Sequence, residues 1–274
     1  RPIGILDSGI GGLTVVSEIR ALLPHEHLVY LADQSMIPYG NKDEAWIRER
    51  ALLLAHWLHQ EQGIKILVIA CNTATAAAIT ALRQTLPFPV VGMEPAVKPA
   101  SRVTRNRRIG ILATEGTLKS ARFSGLLRTF AEGMQVFTQP CIGLVEAIEQ
   151  GDRERIDKLL ADHVKPLLHQ QVDTIVLGCT HYPLVRSHIE ALAGPDITII
   201  ETGAAVAQQT RRQLLHHALK NPSDAQPSLT LFSTSSADKL RKAVERMLPH
   251  YPPATYGCAR LDDNSSVTDS KASS

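Results

Sequence analysis

The feature that most constrains this chain is a repeated unit of strand, spacer, strand and cysteine. Ile3-Gly4-Ile5-Leu6-Asp7-Ser8 precedes Ile66-Leu67-Val68-Ile69-Ala70-Cys71-Asn72-Thr73. In the same way Ile109-Gly110-Ile111-Leu112-Ala113-Thr114 precedes Thr174-Ile175-Val176-Leu177-Gly178-Cys179-Thr180-His181. The stretches from Gly4 to Cys71 and from Gly110 to Cys179 are nearly equal in length. Such a duplication predicts two similar lobes, each presenting one thiol to a shared cleft. Two thiols on opposite sides of one carbon can move a proton from one face to the other.

Candidate strands are read from short apolar runs, and those of about four to six residues fit strands covered on both faces of a parallel sheet. They fall at Ile3–Leu6, Leu28–Leu31, Ile66–Ala70, Val90–Val91, Ile109–Ala113, Gln135–Phe137, Thr174–Leu177, Thr198–Ile200 and Leu229–Phe232. Helical patterns lie between them, at Leu13–Leu23, Lys42–Gln62, Thr75–Gln84, Lys119–Ala131, Arg153–His169, Leu184–Leu192, Ala204–Leu219 and Ala237–Leu248. The alternation reads as an α/β fold. It predicts two pseudo-symmetric lobes, each a mostly parallel sheet flanked by helices, with the site in the cleft between them. The expected division is 1–94 plus 206–258 for the first lobe and 95–205 for the second. The Pro-containing stretch 93–107 is read as one crossing and 201–205 as the return. Residues 259–274, rich in Ser and Asp, are expected to form a disordered tail.

A chain of 274 residues can bury two modest cores. Its formal charge of +2 gives no field that would recruit nucleic acid or a membrane surface. The basic run from Arg102 to Arg108 lacks interleaved aromatics and reads as a solvated loop. No apolar stretch is long enough to span a bilayer, and the first residues lack a signal-peptide layout. The chain opens on Arg1, so its natural start is expected to lie upstream. Its 4 cysteines, Cys71, Cys141, Cys179 and Cys258, are scattered without a CxxC pair, which suits free thiols in the cytoplasm.

Cys71 and Cys179 each close a buried strand run, where ligand crevices open in α/β sheets. A lone cysteine at such a place is usually packing, but the matched positions favour function, as do the polar residues that follow. A thiol with an ordinary pKa near 8.5 needs help from a neighbour. Asp7, at the end of the adjacent strand, is the candidate beside Cys71; its alternative role is a helix cap. His181 is the candidate beside Cys179; its alternative role is to start a helix ahead of Pro183. Asp7-Ser8-Gly9-Ile10-Gly11-Gly12 resembles a dinucleotide fingerprint, with Asp33 near the ribose-binding position. However, Thr14 stands where the third glycine belongs, and the turn suits a smaller anion equally well. Cys71, Cys179 and His181 lack the spacing of a structural zinc site.

These segments also carry a family resemblance. Gly4 to Val15, Pro38-Tyr39-Gly40, Ala70-Cys71-Asn72-Thr73-Ala74 and Leu177 to Leu184 resemble the bacterial glutamate racemases of the cofactor-independent aspartate/glutamate racemase superfamily. The likeness fades after about Gln209. It implies Cys71 and Cys179 as the two acid/base thiols, with Asp7 and His181 tuning them. It further implies that Asp7, Ser8, Tyr39, Gly40, Asn72, Thr73, Thr180 and His181 hold glutamate, and that Thr114 and Thr117 contact its carboxylate. A site glutamate falls at Glu146 or Glu149, and the spacing to Gly151 favours Glu149. Glu115 replaces the family's usual basic residue. The resemblance implies no cofactor and no metal, and a role in supplying D-glutamate for peptidoglycan; a homodimer is compatible with it. The alternatives are an aspartate or hydantoin racemase, or a two-lobed amino-acid-binding protein without turnover.

Overall fold

The computed structural model describes residues 1–261 except 223 and 225. Ten strands are present among the described residues: β1 (Ile3–Asp7), β2 (Leu28–Ala32), β3 (Ile66–Ile69), β4 (Val90–Val91), β5 (Arg108–Ala113), β6 (Gln135–Pro140), β7 (Thr174–Gly178), β8 (Thr198–Ile200), β9 (Leu229–Ser233) and β10 (Thr255–Cys258). They form a six-stranded sheet in the order β10-β9-β2-β1-β3-β4 and a four-stranded sheet in the order β6-β5-β7-β8. All neighbours pair in parallel. Every residue of β1, β3 and β7 is buried, as their unbroken apolar runs require of strands covered on both faces.

The repeat is physical as well as sequential. β1 lies beside β3 as β5 lies beside β7. The matched glycines do the same work in each pair. A Cβ on Gly4 would come within 2.7 Å of Ile64, and one on Gly110 within 2.9 Å of Leu167. In both sheets the missing side chain lets an apolar residue lie against the strand.

The chain leaves the first sheet after β4 and returns after β8. On its return, the helix Gly203–His216 packs against the helix Leu13–Leu22, and β9 and β10 extend the first sheet beyond β2. Each sheet has an apolar core on both faces.

Several elements differ from the sequence expectation. The stretch read as a crossing contains the helix Val97–Val103, which packs on β7. The helix expected from Thr75 begins at Asn72, because Cys71 caps it. Short helices at Glu115–Lys119 and Leu144–Gln150 carry too few turns for an apolar period to show. β10 is a partly exposed edge strand containing Gly257, with no apolar run to mark it. Of the tail expected to be disordered, residues 262–274 lie outside the described residues. Ala259 is buried, and its N–H donates to the Ser233 carbonyl at 2.9 Å.

Candidate active site

The carboxyl ends of β1 and β3 face those of β5 and β7 across one cavity of about 90 Å³. Cys71 and Cys179 both line it. Cys71 caps the helix Asn72–Thr85, and its sulfur accepts from the Ala74 N–H at 3.4 Å. Burial pushes the Cys71 thiol well up, and the Asp7 carboxylate adds to this; the Ala74 N–H opposes them.

Asp7 is not among the residues that line the cavity. One of its oxygens accepts from the Gly12 N–H at 2.6 Å and the Tyr30 hydroxyl at 3.2 Å. The other accepts from the Ser8 hydroxyl at 3.4 Å, and Ser8 Oγ lies 3.9 Å from the Cys71 sulfur. Asp7 therefore reaches Cys71 through Ser8, and it also ties down the start of the following helix. Burial raises its pKa; the His181 charge and the Gly12 N–H partly offset that.

His181 Nδ1 lies 3.9 Å from the Cys179 sulfur, and His181 Nε2 lies 2.8 Å from Glu149 Oε1. Burial alone would favour the neutral ring. The contacts with Cys179 and Glu149 outweigh burial and hold the pKa well above its ordinary value. Burial would likewise raise Glu149. Its bonds from His181, from the Ile10 N–H at 2.6 Å and from Gln34 at 3.2 Å outweigh burial and lower it. His181 also precedes a 3₁₀ turn, Tyr182–Val185, so its helix-start role and its site role coincide.

Of the two candidate glutamates, Glu149 holds the His181 ring from behind, whereas Glu146 borders the cavity. Ser8, Tyr39, Gly40, Asn72, Thr73 and Thr114 line the cavity, together with Thr180 and His181. Thr117 stands behind Thr114, within a hydroxyl cluster that joins the sheets: Thr73 Oγ1 is 2.8 Å from Thr114 Oγ1 and 3.2 Å from Thr117 Oγ1. Among the described residues, neither atom of the buried Asn72 amide has a hydrogen-bond partner. Buried amides are nearly always paired, so the cavity offers the place for a partner.

Sequence reasoning did not place Cys141, Ile142 or Val145 at the cavity. They precede and begin a seven-residue helix that had no sequence signature. Cys141 is a third thiol in the lining, pushed by burial up to about 12.

The glycine-rich turn binds two carboxylates of its own chain. Its Gly12 and Ile10 N–H groups are taken by Asp7 and Glu149. A Cβ on Gly11 would come within 2.6 Å of the His181 backbone nitrogen. The turn is bare so that the second lobe can approach, and the anions it binds are the chain's own carboxylates. Among the described residues no group of three or more His, Cys, Asp or Glu is placed to hold a metal ion. No described helix is long and apolar enough to cross a membrane.

A family profile described as Asp/Glu/hydantoin racemase matches residues 12–210. The chain belongs to this racemase family. Within the family, the glutamate racemase of Pseudomonas paraeruginosa is 52% identical over 264 residues, which cover 95% of this chain and 97% of that one. The crystal structure of a glutamate racemase isoform from Bacillus anthracis is similar with a TM-score of 0.84 at 33% identity, covering 95% of this chain and 97% of that one. Escherichia coli glutamate racemase, solved with L-glutamate and the activator UDP-MurNAc-ala, is similar with a TM-score of 0.79 at 34% identity, covering 90% and 95%. This member of the racemase family thus shares its two-sheet α/β fold with glutamate racemases along nearly its whole length.

Proposed function

We propose that this racemase interconverts L- and D-glutamate by a two-thiol acid/base mechanism. The observation that carries the reading is the pair Cys71 and Cys179, one from each facing sheet, on the wall of one small cavity. One sulfur, as thiolate, takes the Cα proton. The opposite thiol then gives its proton to the other face of the carbanion, and that sulfur is left as the thiolate. The reverse reaction exchanges the two roles, and the proton and charge balance in each direction.

The surroundings of the two sulfurs are unequal. His181, whose pKa is held well above its ordinary value, stands beside Cys179 with Nδ1 3.9 Å from the sulfur, as a group that can exchange a proton with it. The Asp7 carboxyl stands behind Cys71 through Ser8, as a group that can accept a proton. The unpaired Asn72 amide and the Thr73 and Thr114 hydroxyls supply neutral donors for the substrate's carboxylate. Closure of the lobes 1–94 plus 206–258 and 95–205 would exclude water while the carbanion exists. The product D-glutamate would serve peptidoglycan synthesis in the cytoplasm.

The test is incubation of the protein with L-glutamate in deuterium oxide, followed by circular dichroism and loss of the Cα proton signal. Decay of the optical signal with deuterium incorporation is expected. No exchange from either glutamate enantiomer overturns the reading in favour of a binding protein, and exchange of aspartate alone moves it to aspartate racemisation.

A further inference from the structure

Asp33, the residue that stood near a ribose-binding position in the sequence, takes no part in the proton chemistry above. It is nonetheless the most heavily bonded carboxylate near the site, and it is completely buried. Arg50 grips both its oxygens, Nε to Oδ2 at 2.9 Å and Nη2 to Oδ1 at 2.7 Å. The Tyr39 hydroxyl donates to Oδ2 at 2.6 Å and the Thr234 hydroxyl to Oδ1 at 2.7 Å. Paired bonds from a planar guanidinium fix orientation as well as position. Asp33 thus pins both ends of the loop that runs from it to Tyr39 and Gly40.

That loop meets the second lobe at both of its ends. At one end the Gly40 carbonyl accepts from the Gly116 N–H at 3.0 Å, and a Cβ on Gly40 would come within 2.9 Å of Thr114. At the other end Gln34 Nε2 donates to Glu149 Oε2 at 3.2 Å, and Glu149 holds His181. Ser233 Oγ in turn donates to Gln34 Oε1 at 2.9 Å, which aims its amide. Tyr39 itself lines the cavity.

We propose that Asp33 is a positioning residue for this site: by fixing the loop 34–40, it sets how the first lobe docks on Thr114-Gly116 at one end and on Glu149 at the other. Asp33 touches no reacting atom and acts through Tyr39, Gly40 and Gln34. The kinetic consequence rests on the glutamate racemase reading; the structural consequence does not.

The experiment compares wild type with Asp33→Asn and with Arg50→Gln, the second chosen because Arg50 is partly exposed and Asp33 keeps its bonds from Tyr39 and Thr234. Peptide-resolved hydrogen exchange is followed over residues 113–119 and over residues 66–70, which hold β3, beside kcat and KM for L-glutamate. Expected are about tenfold faster exchange over 113–119, unchanged exchange over 66–70, and a fall in kcat/KM of about 10²-fold, the scale of a displacement near 1 Å. Arg50→Lys should recover part of both effects. Exchange over 113–119 that stays at the wild-type rate in both variants, or that rises only in step with 66–70, overturns the proposal. If wild type leaves glutamate unchanged, the racemase reading fails, and the exchange data alone still decide the role of Asp33.

Discussion

His181 is held between an acid and a thiol: Nε2 is 2.8 Å from Glu149 Oε1, and Nδ1 is 3.9 Å from the Cys179 sulfur. The raised His181 pKa contributes stability that is full below its ordinary 6.5 and is lost as pH rises through the raised value. The lowered Glu149 pKa contributes stability that is full above its ordinary 4.5 and is lost as pH falls through the lowered value. The pair therefore stabilises most between those two ordinary values. Glu149→Gln should cost about 2 kcal/mol near pH 6, the scale of a charge-assisted hydrogen bond. It should also bring the alkaline fall in activity to lower pH. Denaturant unfolding across pH and a pH–rate profile check both; a variant as stable as wild type at pH 6 would contradict the assignment.

Removing either proposed base should cut turnover by about 10² to 10⁴, the range for a positioned acid or base. Cys71→Ala and Cys179→Ala would each be measured from both enantiomers. Retention of wild-type kcat by either variant would exclude the two-thiol mechanism.

Asp7→Asn and His181→Asn should produce a subtler asymmetry. The two enantiomers have equal free energy, so kcat/KM must remain equal in the two directions whatever is mutated. The unequal neighbours of the two sulfurs must therefore appear in kcat and KM separately. Substrate deuterium isotope effects on kcat, read from L- and from D-glutamate, should change in opposite senses for the two variants. Identical changes would show that the neighbours are not assigned one to each thiol.

The cysteines should separate by chemical labelling. Cys141 is buried with its thiol pushed up to about 12, so very little of it is the reactive thiolate at pH 8. Cys258 is exposed on the edge strand. Peptide mapping after iodoacetamide treatment at pH 8 should find Cys258 alkylated well before Cys141, and the reverse order would contradict the burial of Cys141.

Far from the site, Lys65 Nζ and Glu26 Oε2 form a buried ion pair at 2.6 Å. Lys65→Met should destabilise the fold by about 3–5 kcal/mol, since it strands a buried carboxylate. Adding Glu26→Leu should restore much of that loss in denaturant unfolding. A double variant no more stable than the single would argue that packing, not charge, fixes this corner.

The sequence by itself determined the strands β1 to β9, their parallel arrangement and the two thiols at strand ends. Those signals are local: a run of four to six apolar residues is already a strand buried on both faces, and the residue after it already lies at the crevice. The duplication was legible for the same reason, down to Gly4 and Gly110. Only the tertiary structure decided what depends on the approach of one lobe to the other. It placed Glu149 rather than Glu146 behind His181 and routed Asp7 to Cys71 through Ser8. It filled the glycine turn with the chain's own carboxylates and left the Asn72 amide unpaired. It also brought Cys141 to the cavity on a helix too short to announce itself. Glu149 and His181, Glu149 and Ile10, and Ser8 and Cys71 are far apart in the chain, and the energies of their contacts come from burial and hydrogen-bond geometry that exist only once the chain has packed.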